Sequence, residues 1–347
     1  MISWFPENIQ MKHTDVLIVG AGPAGSVCGY LLKKAGVDCL LVDHATFPRD
    51  KICGGGLTPK CWKLLDELMP EFKYEYNSIR KIRLMVEDNH RCDFETAIEL
   101  RLVKRKEFDK QLLEQYLSLG GGYLQGSFLR YEEHNDGLVV TLKSGEQVSC
   151  RYLVGADGAT SNVRQQLAGK RDNSTLIMEQ YVERLPDNAI EVVVSRKYDP
   201  MSYYYRFPNG EFDAVGYGVI HSAPGSFRQV LAQQHIAETK FRGCYIYLKN
   251  DYPLNDRVIL IGDAGGFANR VTYEGIKAAI VTARHAAEAI ISGRPFREVN
   301  ARLFKKMEKE DRFTRFFYKP STIRFLGWFF DYFPRVIKWS FDYALRP

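Results

Sequence analysis

The chain is 347 residues long, enough for two intertwined domains around a substantial core, and carries six more Lys and Arg than Asp and Glu. Its seven cysteines (28, 39, 53, 61, 92, 150 and 244) show no CxxC and no paired metal-ligand spacing, which argues against a metal site or a redox dithiol. No run reaches the roughly 20 uninterrupted apolar residues of a membrane span, and residues 1–12 lack the cationic start and apolar centre of a signal peptide, so a cytoplasmic protein, attached to a membrane at most peripherally, is expected.

The first element of the chain is the most constraining. Asp15-Val16-Leu17-Ile18-Val19 reads as a buried strand, Gly20-Ala21-Gly22-Pro23-Ala24-Gly25 as a glycine turn opening a helix over residues 23–35, and Leu40-Leu41-Val42 as a second strand ending in the acid Asp43. This pattern holds a dinucleotide. Gly20 permits the turn, Gly22 lets backbone amides approach a pyrophosphate, and Gly25 lets the helix lie close to the sheet. Asp43 is then placed to accept the adenosine ribose hydroxyls.

Further along, residues 104–119 carry Phe108, Leu112, Leu113, Tyr116 and Leu117 at helical spacing. Stretches 123–131, 138–142 and 147–154 read as strands joined at Asn135-Asp136-Gly137 and Lys143-Ser144-Gly145. The last of them runs into Gly155-Ala156-Asp157-Gly158, an acid and glycines at a strand end. Residues 81–102 and 176–247 are rich in alternating β-formers, such as Glu191-Val192-Val193-Val194 and residues 201–207, and read as one antiparallel sheet inserted twice into the nucleotide domain. Val258-Ile259-Leu260-Ile261 then ends in Gly262-Asp263-Ala264-Gly265-Gly266, and after a loop Glu274-Gly275-Ile276 opens an alanine-rich helix reaching about residue 291. Such a helix aims its positive N-terminus at whatever lies beneath, which suits a reduced flavin with negative charge near N1. Asp263 would hold a ribityl hydroxyl.

The ordered set of GxGxxG, Arg105-x-x-Phe108-Asp109, Asp157-Gly158 and Gly262-Asp263 resembles the flavoprotein superfamily of aromatic hydroxylases and their relatives. Two segments narrow the likeness to the geranylgeranyl reductase family. Cys53-Gly54-Gly55-Gly56-Leu57 is similar to that family's loop near the flavin, and Tyr203-x-Tyr205-x-Phe207-Pro208 followed by Gly216-x-Gly218 is similar to its YxWxFP and GxG pattern lining a lipid cavity. The resemblance implies an α/β fold: a Rossmann-like FAD-binding domain of the second glutathione-reductase type (residues 11–80, 101–172 and 256–300), an inserted antiparallel β-sheet substrate domain (81–100 and 173–255) and a C-terminal helical segment (301–347). It implies FAD held by Gly20, Gly22, Pro23, Ala24, Gly25, Asp43, Gly54, Arg105, Asp157, Asp263, Gly266, Gly275 and Ile276. The chain departs from the family at Tyr205, where Trp is usual, at Arg270, where proline is usual, and at Tyr273, where glycine is usual; the last two are expected close to the isoalloxazine.

No second GxGxxG with its own βαβ unit follows, so NAD(P)H or another electron donor would dock transiently. The inserted sheet offers Tyr181, Tyr203, Tyr204, Tyr205, Phe207 and Tyr217, which would either enclose a hydrophobic small-molecule or lipid substrate or serve as plain core. Alternation puts Tyr203, Tyr205 and Phe207 on one face, the cavity candidate. Cys53, Tyr203 and Tyr205 are the catalytic candidates. Cys53 either donates a proton or positions substrate beside the flavin while N5 delivers hydride, or is one buried thiol among seven; Arg49 either balances a phosphate or is a solvated loop cation. The expected activity is reduction of carbon-carbon double bonds in an isoprenoid or prenylated lipid. The alternatives are an FAD-dependent aromatic or polyketide monooxygenase and a non-catalytic flavin-binding, membrane-associated factor.

Residues 312–347 hold seven basic residues against Asp331 and Asp342, and 13 of the chain's 45 aromatic residues. Rings and cations together suit a lipid headgroup boundary; the competing expectation is a helical lid packed on the body with solvated arginines. The basic residues form no compact run and no reader motif is present, so nucleic acid is not an expected partner.

Overall fold

The computed structural model describes residues 11–87, 89–169, 175–199, 201–219, 224–248, 251–253 and 255–346; the signal-peptide reading falls mostly on residues outside them. In chain order, β1 (Lys12–Val19), α1 (Pro23–Lys34) and β2 (Cys39–Asp43) form a βαβ unit, followed by a short β3 (Gly56–Leu57), α2 (Pro59–Leu68), the long pair β4 (Asn77–Val86) and β5 (His90–Leu102), and α3 (Arg105–Ser118). β6 (Gly122–Gln125), β7 (Phe128–His134), β8 (Gly137–Leu142) and β9 (Gln147–Gly155) lead to α4 (Asn162–Ala168). Next come β10 (Thr175–Glu183), β11 (Ile190–Val194), β12 (Tyr204–Asn209), β13 (Phe212–Val219), α5 (Pro224–Gln233) and β14 (Arg242–Ile246). The chain closes through β15 (Val258–Leu260), a 3-10 turn over Gly262–Gly265, α6 (Ile276–Ser292), α7 (Phe296–Val299), α8 (Ala301–Phe317), α9 (Pro320–Tyr332) and α10 (Pro334–Leu345).

Val16, Leu17 and Ile18 are fully buried, as a run without polar relief requires of a strand covered on both faces. β1 therefore sits centrally, parallel to β2 on one side and to β9 on the other, and β6 and β15 extend the parallel part outward. The β7–β8–β9 meander is antiparallel because its turns are too short for a crossover. One face of this sheet is covered by α1, α3 and α6, with Val27, Tyr116 and Ala283 in a single core. Tyr116 ties the layers together: its hydroxyl donates toward the carbonyls of Cys39 and Gly122 at 2.8 Å.

The second sheet runs β14–β10–β13–β12–β11–β4–β5–β3. It is mixed, a correction to the expected antiparallel sheet: β11 lies parallel to β4, with Ile190 opposite Ile82 and Val194 opposite Val86. The two strands come from separate insertions, so no hairpin dictates their relative direction. β4 starts at Asn77, and β3 also joins this sheet by pairing Gly56 with Leu102. On its β4–β5 side the sheet is covered by α9 and α10, where Val86 and Cys92 meet Ile323 and Phe330 and Ile79 and Ile82 meet Leu345. No helix among the described residues is long and apolar enough to cross a membrane.

Candidate active site

Because β2, β1, β9 and β15 are neighbours, their C-terminal ends lie side by side, and so do the three glycine-acid corners that follow them. Backbone bonds stitch these corners together: Gly20 N donates to Val42 O at 2.7 Å, Ala156 N to Val19 O at 2.7 Å and Ile261 N to Gly155 O at 2.9 Å. Gly20 has φ +107° and a Cβ there would collide with the Ala156 carbonyl; a Cβ at Gly25 would collide with the Gly20 carbonyl. Packing thus requires both glycines. Gly22 differs, since its Cβ would meet nothing nearer than Arg49 Nη2 at 3.4 Å. The space above Gly22 adjoins the first turn of α1, through Pro23, Ala24 and Gly25, which no side chain caps.

The acids stand around this space. Asp43 is buried, and its carboxylate accepts from Ala21 N at 2.6 Å and Ala45 N at 2.8 Å, so it also shapes the turn it was expected only to serve. Asp157 Oδ2 accepts from Asn162 N at 2.7 Å and Val163 N at 3.3 Å, and burial raises its pKa. Asp263, in the 3-10 turn, points at the start of α6: a Cβ on Gly275 would lie 3.1 Å from Asp263 Oδ1. No side chain caps α6 ahead of Ile276, and Gly266 adopts the left-handed conformation that lets the chain leave the 3-10 turn. Arg105 is not a free cation. It is buried and bonded through two nitrogens to Asp109 at 2.8 Å, with Arg49 Nη2 3.2 Å from the same carboxylate. Burial opposes the Arg105 charge, but Asp109 and the Cys53 sulfur override it and raise the pKa. An uncovered glycine between two uncapped helix starts, rimmed by three acids and Arg49, fits an elongated dinucleotide with a central pyrophosphate.

The second sheet supplies an aromatic wall. Tyr203, Tyr205 and Phe207 follow one another along one face with centroid separations of 6.3 Å and 5.1 Å, and Tyr273 stacks on Tyr203 at 5.4 Å. Register explains the glycines of the neighbouring strand. Tyr205 pairs with Gly216, where a Cβ would occupy the space of the Tyr205 ring, and a Cβ on Gly218 would lie 2.8 Å from the Tyr273 ring. Phe207 in turn lies over Gly54, which puts the half-buried Cys53 at the foot of the wall. Cys53 Sγ accepts from Gly55 N at 3.4 Å, and Cys53 is an electrostatic neighbour of both Tyr203 and Tyr205. Tyr204 and Tyr217 turn the other way into a core with Tyr198, and Tyr181 lies on the surface, so these three leave the expected cavity set.

The domain family described as FAD binding domain matches residues 13–220. The chain belongs to this FAD-binding family. Across most of its length it is also a distant relative of isoprenoid-linked reductases: 28% identical over 316 residues to the chloroplastic geranylgeranyl diphosphate reductase of Oryza sativa (81% of this chain, 67% of that one), and 26% identical over 334 residues to menaquinone reductase of Mycobacterium tuberculosis (80% and 76%). Among solved structures, a geranylgeranyl bacteriochlorophyll reductase-like protein of Thermoplasma acidophilum has the same fold, with a TM-score of 0.70 at 19% identity over 86% of this chain and 83% of that one. The protein is thus an FAD-dependent oxidoreductase related to geranylgeranyl and menaquinone reductases.

Within this family frame, the three departures have separate local causes. Tyr205 donates its hydroxyl to Glu179 Oε2 at 2.8 Å, and Glu179 is buried on β10 directly opposite Gly216, so Tyr205, Gly216 and Glu179 form a row across three strands. Glu179 Oε1 has no partner among the described residues, and burial raises the pKa of this carboxyl and of the Tyr205 phenol. Glu179 is absent from the residues singled out in the sequence; the available signal was an acid directly after the apolar run Leu176-Ile177-Met178. Arg270 turns away from the site, donating to the carbonyls of Gly266 at 2.8 Å and Ala268 at 2.7 Å and pairing with Asp311 on α8 at 3.1 Å. Tyr273 has φ +56°, the conformation that a glycine meets without cost, and is held by its stack on Tyr203 and a hydroxyl bond to Met201 O.

Proposed function

We propose that the protein saturates carbon-carbon double bonds of an isoprenoid or prenylated lipid. The observation that carries this reading is the superposition of Phe207 on Gly54, which sets the Cys53 thiol beneath a continuous row of three rings and beside Arg105, whose partner Asp109 also meets Arg49. Bound FAD, once reduced, supplies the hydride equivalent, and NAD(P)H or another carrier docking transiently renews it. Gly22 and the first turn of α1 would hold the pyrophosphate, Asp43 the ribose, and Asp263 with the start of α6 the ribityl and pyrimidine side. Arg49, whose Nη2 is the nearest group to the open side of Gly22, would balance the pyrophosphate charge. Cys53 gives the proton to the alkene carbon that does not receive hydride, and the Arg105 guanidinium beside the sulfur stabilises the thiolate left behind. Tyr203, Tyr205 and Phe207 lie along the chain of the substrate and exclude water, with Glu179 fixing the Tyr205 ring.

The test is anaerobic single turnover with reduced enzyme and a prenyl lipid. Expected is loss of one double bond with reoxidation of the flavin, and slowing of that step by about 100-fold or more in Cys53→Ala with FAD content unchanged. Product formation only when oxygen is admitted, with an added hydroxyl, would move the protein to the monooxygenase reading. No turnover at all, together with identical reoxidation of flavin in Cys53→Ala and Tyr205→Ala, would leave a non-catalytic flavin carrier.

A further inference from the structure

The C-terminal helices have two faces, and among the described residues only the inner one is packed against the body. On α9, Ile323 and Phe330 pack on Val86 and Cys92, Gly327 lies against the His90 ring, and Asp331 bonds His90 Nδ1 at 2.7 Å. On α10, Leu345 packs on Ile79 and Ile82, and Asp342 accepts from Ala97 N at 2.8 Å and pairs with Lys338. Both acids of the tail are therefore engaged with partners. The outer face carries Phe325, Trp328 and Tyr332 on α9, 48–66% exposed, and Trp339 and Tyr343 on α10, about 60% exposed. These rings touch one another at helical spacing: Phe325 and Trp328 at 5.7 Å, Trp328 and Tyr332 at 5.3 Å, Trp339 and Tyr343 at 5.6 Å. In the same C-terminal segment Arg312, Arg315, Lys319, Arg324, Arg335 and Arg346 are exposed and make no ion pair among the described residues.

We propose that this face docks on an anionic lipid surface. Clustered exposed aromatic side chains of this kind mark interaction surfaces. Its rings, with Trp and Tyr able to turn a polar edge toward water, suit the headgroup layer, and the unpaired cations suit a negative surface. A second copy of the chain is the poorer occupant, because a two-fold contact would bring together two patches of the same positive charge. The face is also joined to the site. Tyr318, between α8 and α9, donates its hydroxyl to Val271 O at 3.2 Å and is an electrostatic neighbour of Tyr273 and Tyr203. A lipid chain leaving the surface at this point has a short path to the aromatic wall; that consequence, unlike the docking, rests on the reductase reading.

Flotation of the FAD-loaded full chain with vesicles tests the docking. Binding to phosphatidylglycerol-containing vesicles should be about tenfold or more tighter than to pure phosphatidylcholine, and should weaken as salt is raised. The variant Trp328→Ser/Trp339→Ser, checked for unchanged melting, should lose about tenfold in affinity, and Arg324→Gln/Arg335→Gln should lose the preference for anionic lipid. Absence of flotation by the unaltered protein overturns the proposal, as does a dimer in solution that Trp328→Ser/Trp339→Ser dissociates and vesicles do not. Turnover of a short, water-soluble prenyl substrate separates the two readings: retained turnover without flotation removes the docking alone, and flotation without turnover removes the reductase reading alone.

Discussion

At Gly22 and Gly25 the same residue type answers two different demands. The Gly25 position faces the Gly20 carbonyl, so any side chain collides with backbone, whereas the Gly22 position faces only the end of the Arg49 side chain at 3.4 Å. Gly25→Ala is expected to lower the melting temperature sharply even in the apoprotein. Gly22→Ala is expected to leave apoprotein melting nearly unchanged and to weaken FAD binding by about tenfold or more, equivalent to about 1.4 kcal/mol, as read by flavin fluorescence titration. Glu179 makes a pH prediction. Burial raises its pKa in the folded protein, so the fold favours the neutral carboxyl. Its contribution to stability is complete below the ordinary carboxylate value and is lost as pH rises through the raised one. Glu179→Gln, which stays neutral and can still accept from Tyr205, should therefore gain melting temperature over the unaltered protein as pH rises above the ordinary carboxylate range, and a difference that does not change with pH would contradict the assignment.

At the scale of elements, the β12–β13 register does more than build a sheet. It sets the Tyr205 ring over Gly216, so a methyl group there must displace the ring or the strand. Gly216→Ala should cost about 1–3 kcal/mol by denaturant unfolding and should cost much less in a Tyr205→Ala background, where the space is open; equal costs in both backgrounds would show that the ring is not the obstacle. The glycine pair was legible in the sequence as a pattern beside the tyrosines. Its cause was not, because it depends on which residue of β13 stands opposite which residue of β12. The positions of Tyr204 and Tyr217 show the same limit: alternation separated Tyr204 from Tyr203 and Tyr205, but only the covering of the sheet by α5 and its neighbours says which face is core.

For the whole molecule, the C-terminal helices pack on the body as the lid expectation has it, and the docking proposal rests on what that packing leaves exposed. Their inner stripe is a lid on β4 and β5, and their outer stripe is an aromatic surface left exposed among the described residues. Removal of residues 312–347 should accordingly lower the melting temperature and promote aggregation by uncovering Val86, Cys92, Ile79 and Ile82; melting equal to that of the full chain would mean that the inner contacts contribute little. Arg270 works at this scale too, since its bonds to Gly266, Ala268 and Asp311 couple the loop ahead of α6 to α8.

By itself the sequence determined what is local. Short-range glycine placement, strand alternation and helix starts depend on residues close together in the chain, so the dinucleotide turn, the three corners and the face shared by Tyr203, Tyr205 and Phe207 could all be read from it. Tertiary structure alone decided what depends on distant partners: the parallel pairing of β4 with β11, the seat of Glu179 beneath Tyr205, the inward turn of Arg270, and the division of the C-terminal helices into a packed and an open face. Each of those outcomes is set by contacts between segments separated by many residues, whose free energies appear only once the chain has closed on itself.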